Sequence, residues 1–221
     1  MIDFHTHTLF SDGELLPGEL VRRACVKGYR AIGITDHVDG SNLDLVAPRL
    51  WKAAEELNRL QPVLVIPGVE ITHAPVEQIR ELVATSRDLG SVLVVGHGES
   101  PVEPVAPGTN RAAIEAGVDV LAHPGFITVE EARFAAEKGT RLEITARSGH
   151  CLTNGHVARI ALEVGATLVV STDTHSPENL ITREWAFQVL LGAGLTEVQA
   201  QRVLANNEEF MTELRRRLRL H

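Results

Sequence analysis

Seven short apolar runs rich in β-branched residues recur along the chain, each closed by turn residues and followed by a helical pattern. They span roughly 2–5, 31–35, 63–70, 91–97, 118–123, 140–145 and 166–172. Strands alternating with helices in this way build βαβ units, whose parallel sheet must be covered on both faces. Seven consecutive units with short connections predict an α/β fold with a closed or nearly closed barrel, an open doubly wound sheet being the competing architecture.

Residues 1–221 read as one domain, because this length buries a sufficient core and no linker-like tract interrupts it. Thr128-Val-Glu-Glu131 has the spacing of a capping box, and Ser176 before Pro177 marks another helix start. Three helices are expected to close the chain, from about Pro177, Thr196 and Asn207, the last with Phe210, Leu214 and Leu218 on one face. A hydrophobic content of 44% and a charged content of 23% fit a soluble globular chain and exclude disordered and fibrous classes. No apolar run reaches membrane-spanning length and the N-terminus has no signal pattern, so a cytoplasmic chain without membrane contact is expected. The formal net charge of -8 disfavours nucleic acid as a partner. Cys25 and Cys151, far apart and without CxxC spacing, read as buried free thiols.

The chemistry stands at the ends of these runs. His5 and His7, Glu70, His97, His123, Glu143, and Asp173 with His175 lie at or just past a strand end, and His37 follows the second strand by two residues. In parallel β/α barrels the C-terminal strand ends converge on the active site. Alternation puts Asp3, His5 and His7 on one face, as it does Ile66, Gly68 and Glu70, or Ser171, Asp173 and His175. A single histidine of this set would be an ordinary hydrogen-bonded core residue. Together, so many imidazoles and carboxylates are costly to bury unless they are paired or bind metal.

The order His5-Thr-His7, Ser11-Asp-Gly13, Thr35-Asp-His37, Pro67-Gly-Val-Glu70, Gly96-His-Gly98, Ala122-His-Pro-Gly125 and Ser171-Thr-Asp-Thr-His175 resembles the PHP superfamily, named for polymerase and histidinol phosphatase domains. The resemblance spans about residues 2–176. It implies a distorted seven-stranded (β/α)7 TIM-like barrel with a trinuclear metal site at the C-terminal ends of the strands. It further implies that His5, His7, Glu70 and Asp173 surround one ion, and that Glu70 bridges to a second held by His97 and His123. Asp12, His37 and His175 would hold the third. A donor set rich in nitrogen and free of thiolate suits three divalent ions of Zn, Mn or Fe. Against Asp12, Glu70 and Asp173, three such ions leave an excess of about +3, which a phosphate dianion and a hydroxide would balance.

The implied activity is hydrolysis of a small phosphorylated substrate, a phosphomonoester such as histidinol phosphate, by metal-activated water and without a covalent nucleophile. Asp173 and His175 are candidates for protonating the leaving group. Arg147, His150 and Arg183 are candidates for gripping the phosphate, and Asp3 and Glu143 for supporting ligand histidines from behind. His73, three residues past Glu70, is a further candidate to face the substrate, whereas His156 and His221 read as structural. Phosphodiester cleavage, as by a 3′ exonuclease, competes with this reading but is disfavoured by the acidic surface and an aromatic content of 4%. Hydrolysis at carbon also competes, as does a non-catalytic metal-binding module, which is disfavoured because no ligand position is lost.

Overall fold

The computed structural model describes residues 1–218; His221 lies outside the described residues. All seven expected runs form strands: β1 (Ile2–Asp3), β2 (Ala31–Ile34), β4 (Leu64–Ile71), β5 (Leu93–His97), β6 (Val120–Ala122), β7 (Arg141–Thr145) and β8 (Leu168–Ser171). An eighth, β3 (His37–Val38), continues the line of β2: Ala31–Ile34 pair with residues 64–67 of β4, and His37 and Val38 with Glu70 and Ile71. All pairings are parallel, in the order β1-β2-β4-β5-β6-β7-β8. A parallel bridge between Thr6 and Thr174 then joins the first strand to the last, giving the nearly closed barrel.

The helices α1 (Pro17–Val26), α2 (Leu43–Leu60), α3 (Ile79–Asp88), α4 (Thr109–Ala116), α5 (Val129–Lys138), α6 (Asn154–Val164) and α7 (Arg183–Gly192) follow in chain order, and α8 (Glu197–Leu218) ends the described chain. Strand alternation divides the core in two. Ile32, Ile34, Val65, Val94, Leu121, Ile144 and Val170 join the cluster shared with the helices, whereas Ile2, Phe4, Ala31, Leu93, Val95, Val120 and Val169 fill the barrel interior. Among the described residues, no helix is long and apolar enough to cross a membrane.

Helix α8 plugs the N-terminal end of the barrel. Its Phe210, Met211 and Leu214 join the interior cluster, with the Phe210 ring 4.7 Å from that of Phe4 and the Arg141 guanidinium over it. This helix is continuous, where a new helix from Asn207 was expected. Asn206 and Asn207, which resemble a start signal, spend their side-chain amides on strand backbone. Asn207 accepts from the Val170 N–H and donates to the carbonyls of Ile2 and Val170, so it bridges the seam between β1 and β8. The helix start at Thr196 holds, since Thr196 and Gln199 cap it reciprocally. At Ser176-Pro177 only a 3-10 turn forms, and α7 begins at Arg183. The capping box at Thr128 is present, and both cysteines are free, although neither is buried: Cys25 is half-buried and Cys151 exposed.

Truncating Asn207 leaves several buried backbone groups of the seam unpaired. Asn207→Ala is expected to cost about 2–4 kcal/mol in urea unfolding. Glu209→Ala, at an exposed position of the same helix, is expected to stay within about 0.5 kcal/mol. Equal effects of the two would contradict the seam role.

Candidate metal centre

Every expected ligand position except Asp12 stands at a strand end or just past it. His5 and His7 follow β1, Asp12 lies in the next turn, His37 opens β3, Glu70 is the penultimate residue of β4 and His97 closes β5. His123 follows β6, and Asp173 and His175 follow β8. Asp36, between β2 and β3, accepts from the Thr8 N–H, the Thr8 hydroxyl and the Ser11 hydroxyl. That buried carboxylate pins the segment carrying His7 and Asp12 against β2.

The side chains meet in one cluster. Glu70 is central: Oε1 lies 3.3 Å from His5 Nε2 and 3.7 Å from His123 Nε2, and Oε2 lies 2.8 Å from His37 Nδ1 and 3.6 Å from His7 Nε2. Asp173 Oδ1 lies 3.2 Å from His7 Nε2 and 3.6 Å from His5 Nε2, while Oδ2 is 3.8 Å from His123 Nε2. Asp12, on the exposed rim, brings Oδ1 to 3.2 Å from His175 Nε2 and 3.5 Å from His37 Nε2. Donor atoms near enough to share an ion come from His7, Asp12, His37 and His175, from His5, His7 and Glu70, from His5, His123 and Asp173, and from Glu70, His97 and His123.

Hydrogen bonds on the far ring nitrogen settle how three of the imidazoles face the centre. Nδ1 of His5 donates to Glu143 at 2.9 Å, that of His97 to the Gly98 carbonyl at 3.1 Å, and that of His175 to the Asp173 carbonyl at 2.9 Å. With Nδ1 carrying the proton, Nε2 of a neutral ring presents a lone pair inward, the form that ligates metal.

Several buried polar atoms here have no hydrogen-bond partner: His5 Nε2, both nitrogens of His7, His123 Nδ1, Glu70 Oε1 and Asp173 Oδ1. Buried polar atoms left unpaired are costly, and inward-facing lone pairs beside carboxylates are the donor set divalent ions compensate. These residues therefore fit metal. The backbone is also strained here, since His123 and Asp173 are non-glycine residues at φ 26° and 52°.

Charges in this cluster are mutually dependent. Burial alone would push His5 down, but Glu70, Glu143 and Asp173 raise it well above its ordinary value. Burial, with positive neighbours His37 and His5, holds His7 well below, and burial does the same to His123. Burial pushes Asp173 up to about 6.

The remaining expectations divide. Glu143 holds the His5 ring with one oxygen and accepts from the His123 N–H with the other. Asp3 does not reach a histidine ring. Phe4 and His5 both face the interior, so the alternation slips at that bend, and Asp3 instead accepts from the Thr172 N–H and hydroxyl and the His5 N–H. His150 joins the cluster, stacked at 4.2 Å on His123. Arg147 directs Nη1 to the Asp173 carbonyl and Asn179 Oδ1, where it braces the strained Asp173 backbone.

Arg183 is elsewhere: it lines a small cavity with Met1, Arg30 and Glu208 at the N-terminal end of the barrel. The chain has crossed the barrel by that point, fixed by Lys27 on the Leu180 carbonyl and the Tyr29 hydroxyl on the Ile181 N–H. Sequence reasoning missed Glu103, whose carboxylate lies 3.0 Å from His97 Nε2 and is held down at about 2 by that hydrogen bond. It sits in an irregular Pro-rich loop without periodicity to reveal its direction. His156 is structural, bonded to the Ile127 carbonyl.

Comparison with known proteins agrees with this geometry. The PHP domain family matches residues 3–122. An uncharacterized protein of Methanocaldococcus jannaschii is 51% identical over 91% of this chain and 94% of its own length. A probable phosphatase of Shewanella sp. (strain ANA-3) is 32% identical over 79% of this chain and 76% of that protein. In fold, the histidinol phosphate phosphatase of Lactococcus lactis, solved with Zn, L-histidinol and phosphate, superposes with a TM-score of 0.60 at 18% identity, covering 88% of this chain and 94% of that one. The chain belongs to the PHP family.

Coordination needs deprotonated ligands, and the raised His5 carries a proton at neutral pH in the metal-free chain. Loading with Zn or Mn at pH 7 is therefore expected to release protons, and lowering the pH from 7 to 6 to weaken binding about tenfold per proton released. Calorimetry in buffers of different ionisation enthalpy reads this directly. Binding without proton release would contradict the assignment of His5.

Proposed function

We propose that this chain is a metal-dependent phosphoesterase that hydrolyses a small phosphorylated metabolite, with a phosphomonoester such as histidinol phosphate as the leading substrate class. The observation that carries the reading is the convergence of His5, His7, Asp12, His37, Glu70, His97, His123, Asp173 and His175 in overlapping donor groups, several of whose buried atoms lack other partners. The probable phosphatase from Shewanella and the Zn- and phosphate-bound relative in fold support the same chemistry. A cleft of about 580 Å³, lined by Asp12, His37, Thr72, His73 and Glu103 among others, suits a small substrate.

His5, His7, Glu70 and Asp173 would hold one ion, His97 and His123 with Glu70 a second, and Asp12, His37 and His175 a third. Bound divalent ions of Zn, Mn or Fe supply Lewis acidity toward a phosphoryl group and acidify water. Glu70 turns one oxygen toward His5 and His123 and the other toward His7 and His37, which suits a bridging role. Glu143 orients the His5 ring through Nδ1. Arg147 keeps the Asp173 backbone in place, and His150 Nε2, 3.9 Å from Asp173 Oδ2, is the polar group offered to a phosphate oxygen. Asp173 and His175 are the groups proposed to return a proton to the leaving oxygen, where coordination leaves one of their atoms unengaged.

The test is phosphate release from a panel of phosphomonoesters, including histidinol phosphate and nucleoside monophosphates, with Mn or Zn added. Turnover of one monoester is expected, at least about 100-fold lower in Asp173→Asn and about 10–100-fold lower in Glu143→Gln. A silent monoester panel beside cleavage of oligonucleotides would replace this reading with phosphodiester hydrolysis.

A further inference from the structure

The carboxylate of Glu103 gathers three imidazoles from three separate segments. Oε2 lies 3.0 Å from His97 Nε2 and 3.2 Å from His73 Nε2, and Oε1 lies 3.3 Å from His150 Nε2. Neither Glu103 nor His73 occupies a position of the PHP motif pattern. We propose that Glu103 is a further metal ligand, forming with His97 and His73 a donor group beside the one that His97 makes with Glu70 and His123. The proposal rests on the metal-centre part of the function proposed above.

Ring orientation supports it. The Nδ1 of His97 is spent on the Gly98 carbonyl, which leaves Nε2 as the ring atom facing Glu103. Separation supports it as well. Two ligand atoms each about 2.1 Å from an ion and at right angles stand about 3.0 Å apart, which is the His97–Glu103 spacing. The donor atoms of His73, His97 and Glu103 all lie within 4.8 Å of one another.

The loop is also built to hold this carboxylate in place. Glu99 caps the start of α4 through the N–H groups of Gly108 and Asn110, while the Asn110 side chain bonds the Glu99 N–H and the Pro124 carbonyl. A Cβ at Gly98 would stand 2.3 Å from the Ala122 carbonyl oxygen, and one at Gly125 1.8 Å from that of Glu99, so only glycine at both sites lets the loop lie against the His123 turn. Buried Ser100, two residues past Gly98, holds His150 Nδ1 at 2.6 Å and leaves Nε2 toward Glu103. A fourth carboxylate lowers the excess charge of three divalent ions to about +2.

The test is a Co(II) titration of the metal-stripped full chain, read by visible absorption and by metal content after dialysis, for the unaltered chain, Glu103→Gln, Glu103→Ala and His7→Ala. Glu103 is partly exposed, so circular dichroism of its variants is expected to be unchanged. Both variants are expected to bind one ion at least tenfold more weakly and to shift its absorption band, with the other ions unaffected. Affinities and spectra matching the unaltered chain would overturn the role of Glu103 while leaving the metal centre standing, provided His7→Ala loses metal. An unaltered chain that binds no Co(II) would overturn both.

Discussion

Glu70 is fully buried at the centre of the molecule, with His5, His7, His37 and His123 around it. A carboxylate in that position is held charged, well below its ordinary value, because His5 and His37 outweigh the cost of removing it from water. The surroundings answer that constraint: imidazoles approach from three strand ends, Glu143 supports one from behind, and Asp173 enters on a strained turn. Among the atoms that remain unpaired, His5 Nε2, Glu70 Oε1 and Asp173 Oδ1 face one another across the middle. The cluster is thus incomplete as a hydrogen-bonded network and complete as a donor set for cations.

The barrel makes this geometry possible by closing with few strand-to-strand hydrogen bonds at its seam. Three polar devices span β1 and β8: Asn207 at the plugged end, Asp3 with Thr172 in the middle, and the Thr6–Thr174 bridge beside the site. Because β1 is short, His5 and His7 lie on a segment free to bend, and both rings reach Glu70 and Asp173. Helix α8 fills the opposite end with Phe210, Met211 and Leu214, so the interior is apolar below and polar above.

Much of this was legible in the sequence, for physical reasons. The seven runs became strands because a parallel sheet covered on both faces requires near-continuous apolar segments, and motif residues at their ends could only converge. What escaped depends on chain direction rather than residue type. Asp3 fell off the predicted face because one bend at Phe4 shifts the alternation, and Arg183 because the chain crosses the barrel between Asn179 and α7. Asn206 and Asn207 look like a helix start until the strands that use their amides are known. Glu103 was invisible because its placement comes from the packing of Gly98 and Gly125 across a loop.

The claim that cations complete the buried cluster is tested most directly by calorimetric unfolding of the chain stripped of metal and then refilled with Zn or Mn. An ion held at a hundredfold excess over its dissociation constant stabilises by about 2.7 kcal/mol, so Tm is expected to rise by at least about 5 °C per tightly held ion. The same rise should be largely absent in Glu70→Gln. A Tm that does not respond to metal in the unaltered chain would contradict the account.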